Sequence, residues 1–95
     1  MTPEGKLKKA MRNWLEVNGI YYANVAGGAF SKPGDPDLIV VVNGRALGVE
    51  AKSKTGQQKE LQHIRQEQLE AAGGSYIVAR SMDDLVAAVT RLKTL

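Results

Sequence analysis

Two carboxylates and a lysine, Asp37, Glu50 and Lys52, flank a short reversal of the chain. Asn43-Gly44, between two apolar runs, is the strongest short-range signal for a two-residue hairpin loop. With that loop, Val42 faces Arg45, and pairing runs outward through Leu38 with Val49 to Asp37 with Glu50. Directly opposed side chains hold their Cβ atoms about 4.5–5.5 Å apart. Alternation along the strand puts Lys52 on the same face as Glu50. Two acids so placed repel, and a sequence selected for stability alone avoids the pair. A divalent cation removes the conflict, since Mg²⁺ takes oxygen ligands and often uses one or two carboxylates plus substrate phosphates. The same residues also fit a plainer reading. In it, Asp37 ends a strand after Pro36, and Glu50 and Lys52 form a solvated face. A loop one residue longer or shorter would carry Asp37 to the face opposite Glu50.

The elements that must position these side chains follow from pattern. Thr2-Pro3-Glu4 is a helix start, with a capping hydroxyl, a proline at the first helical position and an acid near the positive dipole end. Leu7, Ala10, Met11, Trp14 and Leu15 give that helix an apolar face, and Gly19 stops it. A strand is expected over Ile20 to Val25, then a loop rich in glycine and proline through Pro36. The hairpin follows, from Asp37 to Val42 and from Arg45 to Ser53, its first strand apolar on both faces as if covered on both. A second helix is expected over Gln57 to Ala72, with Leu61, Ile64, Leu69 and Ala72 facing inward and Gly73-Gly74 ending it. Ser75 to Ala79 is a short strand. Ser81-Met82-Asp83-Asp84 opens a third helix carrying Leu85, Val86, Val89 and Leu92. The expectation is an α/β fold in the order α-β-β-β-α-β-α.

Composition narrows the chemistry. A chain of 95 residues points to one domain over residues 1–95, with a modest core. The absence of cysteine excludes disulfides and thiolate metal sites, and agrees with a reducing, cytoplasmic setting. No apolar stretch is long enough to span a bilayer, and the first residues lack the layout of a signal peptide. The net charge of +3 suits a polyanionic partner. His63, the sole histidine, cannot build a zinc site alone, the serines have no base partner, and no phosphate-binding Gly-Lys-Ser/Thr loop occurs.

Pro36-Asp37 followed by Glu50-Ala51-Lys52 across a strand-turn-strand resembles the PD-(D/E)XK nuclease superfamily. Glu4 in the first helix, Gly34 two residues before Pro36, a glutamine in the next helix and Ala72-Gly73-Gly74 before an apolar strand narrow the match. The pattern looks like the virus-type replication-repair nuclease (VRR-NUC) group, in its small stand-alone phage and prophage form, over nearly the whole chain. The resemblance implies a restriction-endonuclease-like core, a mixed sheet flanked by helices. It implies that Asp37 and Glu50, with the backbone carbonyl of Ala51, bind Mg²⁺ or Mn²⁺, and that Lys52 orients or deprotonates water or stabilises charge at phosphorus. Glu4 resembles the first-helix acid, a water-mediated or second-metal ligand, or else only a charge that complements the helix dipole. Gln62 fits the family glutamine best by its distance to Gly73-Gly74, with Gln58 and Gln66 as competitors. Lys32, Gly34, Lys54, Arg80 and the first-helix lysines are candidates for contact with DNA. The activity implied is hydrolysis of phosphodiester bonds in branched DNA, Holliday junctions in particular, by a homodimer acting in DNA repair. A non-catalytic DNA-binding subunit and a nuclease directed at flaps or ends are the alternatives.

Overall fold

The computed structural model describes residues Met1–Leu95. Its elements are α1 (Pro3–Val17), β1 (Tyr22–Asn24), β2 (Leu38–Val42), β3 (Arg45–Ala51), α2 (Glu60–Ala71), β4 (Ser75–Ala79) and α3 (Met82–Lys93), in the order expected from pattern. The four strands form one sheet in the order β1-β2-β3-β4. β1 and β2 pair antiparallel, as do β2 and β3, and β4 lies parallel to β3, so the sheet is mixed.

The hairpin has the register that a two-residue loop dictates, with Val42 opposite Arg45 and Leu38 opposite Val49. Asn43 and Gly44 both have positive φ, 53° and 75°, as a type I′ turn requires. Alternation then sorts the side chains. Leu38, Val40, Val42, Leu47, Val49 and Ala51 point to one face and are buried. Met11 and Leu15 of α1, Ala79 of β4 and Leu85, Ala88, Val89 and Leu92 of α3 complete that core. The helix starts behave as their residues dictate: Thr2 Oγ1 accepts from Gly5 N at 3.0 Å, and Ser81 Oγ accepts from Asp84 N at 3.4 Å.

The second face differs from expectation. Val41 is 39% exposed and Ile39 is half-buried, so β2 is covered on one face only. The cause is the seat of α2, which packs on β4 and reaches only as far as Gly48 of β3. α2 also begins at Glu60, not Gln57, because Lys59 remains extended (ψ 159°). Its expected inward positions are not buried: Leu61, Ile64 and Ala72 are exposed, and Leu69 alone is half-buried, over Gly48 and Gly74.

Candidate active site

Glu50 lies in β3, a central strand with β2 on one side and β4 on the other. That position removes it from water: it is 1% exposed and is the buried charged residue of the core. Its two carboxylate oxygens have different surroundings. Oε1 accepts a 2.5 Å hydrogen bond from the hydroxyl of Tyr76 and a 3.5 Å one from Nε2 of Gln58. Oε2 has no hydrogen-bond partner and lies 3.8 Å from Nζ of Lys52. Burying an ionised carboxylate is costly unless its lone pairs are met, so a buried oxygen left open is exceptional.

Asp37 sits one residue before β2, at the position opposite Glu50 when the ladder is continued past Leu38 and Val49. Its backbone carbonyl accepts from Val25 N at 2.9 Å, which holds it toward β1. Its Oδ2 accepts from Ala51 N at 2.8 Å, and its Oδ1 is 3.8 Å from Nζ of Lys8. The carboxylate thus reaches across to the residue that follows Glu50.

Glu4 and Lys8, one turn apart on α1, share a stripe that faces this end of the sheet. Oε1 of Glu4 accepts from Ser53 N at 3.4 Å, so Glu4 stands beside the residue after Lys52. Three of the residues singled out by sequence (Asp37, Glu50, Lys52) therefore converge, with Glu4 at their margin. They form no cluster of three or more His, Cys, Asp or Glu able to hold a metal by themselves. Two carboxylates with an open oxygen fit Mg²⁺ or Mn²⁺, which keep waters and share ligands with substrate phosphate, and do not fit an all-protein cage.

The remaining candidates are placed differently. Gln62 is the third residue of α2, and its Oε1 accepts from Lys59 N at 2.8 Å, closing the helix start. Gln58 is the glutamine that touches Glu50, and Gln66 accepts from it at 3.1 Å. Gly34 (φ 86°) is packed so closely on the backbone of Leu61 that a Cβ there would overlap the Leu61 carbonyl, so its bareness serves loop packing. Arg80 donates to the carbonyls of Ser53 at 2.7 Å and Gly56 at 2.6 Å, which pins the loop between β3 and α2. Lys32 and Lys54 are exposed. Lys32 lines an open cleft of about 760 Å³, shared with Gly34, Asp37, Lys59 and Gln62.

Two partners of the site escaped sequence reading, Tyr76 and the specific role of Lys8. Tyr76 carries a signal in retrospect, as a polar-tipped aromatic at the head of the apolar run Ile77-Val78-Ala79. Burial, the hydrogen bond to Glu50 and the charge of Glu50 together push its phenol well above the ordinary tyrosine range, with a smaller push from Asp37. The raised value keeps the phenol protonated to higher pH than an ordinary tyrosine, in the form that donates to Glu50.

No family model and no curated protein matches the chain. Solved structures do. One described as "VRR_NUC domain protein" aligns with a TM-score of 0.79 at 21% identity, over 100% of this chain and 91% of that one. Another, described as "VRR_NUC domain", aligns with a TM-score of 0.76 at 23% identity, over 95% of this chain and 97% of that one. At these identities the likeness is one of fold, and it extends over both chains nearly end to end.

Proposed function

We propose, taking the VRR_NUC fold as premise, that residues 1–95 form a single nuclease domain that hydrolyses phosphodiester bonds in DNA with Mg²⁺ or Mn²⁺. Asp37 and Glu50 would hold the cation, with the Ala51 carbonyl as a further ligand. The cation, when bound, lowers the pKa of water and withdraws charge from the phosphate oxygens. Lys52 supplies a fixed positive charge where negative charge grows in the transition state. Lys8, 3.8 Å from Asp37, and Lys32, in the cleft that Asp37 also lines, would offer phosphate contacts.

The observation that carries this reading is the open Oε2 of Glu50, buried beside Lys52. A carboxylate kept for stability alone would have both oxygens satisfied or would be replaced by an apolar side chain of similar volume. One kept for a ligand leaves an oxygen free.

The finer reading is an enzyme for branched DNA, four-way junctions in particular, working as a homodimer in the cytoplasm. A two-fold pair of sites suits paired incisions in a symmetric junction. The test uses purified protein on plasmid, flap and four-way junction substrates, with Mg²⁺, Mn²⁺ or EDTA, beside a solution mass. Glu50→Gln and Lys52→Ala are expected to abolish cleavage and to leave DNA binding intact. Full cleavage by Glu50→Gln, or cleavage in EDTA, would sink the assignment. Binding without cleavage by the unsubstituted chain would favour a non-catalytic subunit, and preference for flaps or ends would replace the junction reading.

A further inference from the structure

Tyr76 and Gly48 are cross-strand partners in the parallel β3–β4 ladder, and Glu50 lies two residues beyond Gly48 on the same face. A side chain at position 48 would occupy the space the tyrosine ring uses. A Cβ there would stand 2.8 Å from Cδ2 of Tyr76 and 3.2 Å from Cε2, and 2.8 Å from Cδ2 of Leu69. The bare glycine lets the ring lie along β3. Two residues of strand advance about 6.6 Å, a span that a tyrosine side chain covers, and the hydroxyl duly meets Oε1 of Glu50 at 2.5 Å.

The consequence for Glu50 is one-sided. Both donors that reach the carboxylate, Tyr76 and Gln58, fall on Oε1, and none falls on Oε2. We infer that Tyr76, seated by Gly48, is a positioning residue that turns Glu50 so that Oε2 faces the cation site. This rests on the metal-dependent reading above. A phenylalanine at position 76 would fill the same volume, so packing alone does not call for the hydroxyl. A hydroxyl on one oxygen fixes the carboxylate plane and leaves the other oxygen to the ligand, the role that outer hydrogen-bond partners play for metal-bound carboxylates.

The test is direct Mn²⁺ binding to the metal-free chain, by calorimetry or electron paramagnetic resonance, with cleavage rates followed over a Mn²⁺ titration. Tyr76→Phe is expected to weaken Mn²⁺ binding about 10- to 100-fold and to recover its cleavage rate at saturating Mn²⁺. Gly48→Ala, which displaces the ring without deleting the hydroxyl, is expected to weaken binding in the same direction. Circular dichroism checks that each variant is folded, and the Phe variant is the one whose packing is conserved. Unchanged Mn²⁺ affinity in folded Tyr76→Phe overturns the inference and leaves the metal reading standing. A rate loss that saturating Mn²⁺ does not restore overturns it too, because that marks a role other than aiming the carboxylate. Failure of the unsubstituted chain to bind Mn²⁺, or undiminished binding by Glu50→Gln, overturns both.

Discussion

Asp37 and Ala51 are joined across the hairpin by a 2.8 Å hydrogen bond in which the Ala51 N–H donates to Oδ2 of Asp37. The bond gives Asp37 a structural duty beside its proposed one. Asp37→Ala leaves that partly buried N–H unpaired, at a cost of about 1–3 kcal/mol. Asp37→Asn keeps an acceptor oxygen and is expected to retain most of that stability while losing metal-dependent cleavage. Urea unfolding and plasmid nicking on the same two variants check both parts.

Gln58 and Gln62 separate in the same way. Gln62→Ala removes the bond that closes the start of α2. It is expected to cost about 0.5–1.5 kcal/mol with little change in the metal requirement. Gln58→Ala removes a donor to Glu50 and is expected to raise the Mn²⁺ concentration for half-maximal cleavage about tenfold. A larger metal effect from Gln62→Ala would return the functional role to Gln62.

Lys32 and Arg80 are expected to divide between DNA and loop. Lys32→Ala deletes an exposed charge beside the cleft, so the slope of log affinity against log salt should fall by about 0.9 for the lost phosphate contact. Arg80→Ala deletes two bonds to loop carbonyls. It should leave the slope unchanged, lower stability by about 1–2 kcal/mol and speed hydrogen exchange from residue 53 to residue 58.

Tyr76 and Tyr22 both have phenols raised above the ordinary value. For Tyr76 burial leads, followed by Glu50; for Tyr22 the hydrogen bond to Glu16 leads. A raised folded value means that the folded chain holds its proton longer than the unfolded chain. The contribution of Tyr76 is therefore fully present below pH 10, the unfolded value, and is lost as pH rises through the higher folded value. Tyrosinate absorbance of the metal-free chain should show Tyr76 titrating only with alkaline unfolding. Ionisation of all three tyrosines near pH 10 in the folded chain would contradict this.

Local chemistry made much of this molecule legible in its sequence. The Asn43-Gly44 turn determines register over five cross-strand pairs, and from register alone Asp37 comes opposite Glu50. Gly19, Thr2 and Ser81 mark helix ends through their own backbone and hydroxyl chemistry. What stayed hidden depends on contacts distant in sequence. The pairing of β4 with β3 puts Tyr76 beside Gly48 and so against Glu50, and no local pattern encodes that neighbour. The apolar positions of α2 suggest a buried face, yet Leu61 and Ile64 are half open to solvent because the helix crosses over β4 and stops short of β2. Distance to Gly73-Gly74 in the sequence favours Gln62 over Gln58. In the structure α2 starts at Glu60, so Gln62 closes the helix start and Gln58, in the loop before the helix, reaches Glu50.

The far end of the hairpin has a use of its own. Nδ2 of Asn43 donates to the carbonyls of Leu95 at 2.9 Å and Leu92 at 3.5 Å, so the segment after α3 is tied to the turn. Asp37 and Asn43 flank β2 at opposite ends, six residues apart, roughly 20 Å at 3.4 Å per residue. A fluorophore or surface tether joined at Leu95 therefore stands clear of any nucleic acid seated at the carboxylates, and single-molecule recordings can be built from that corner.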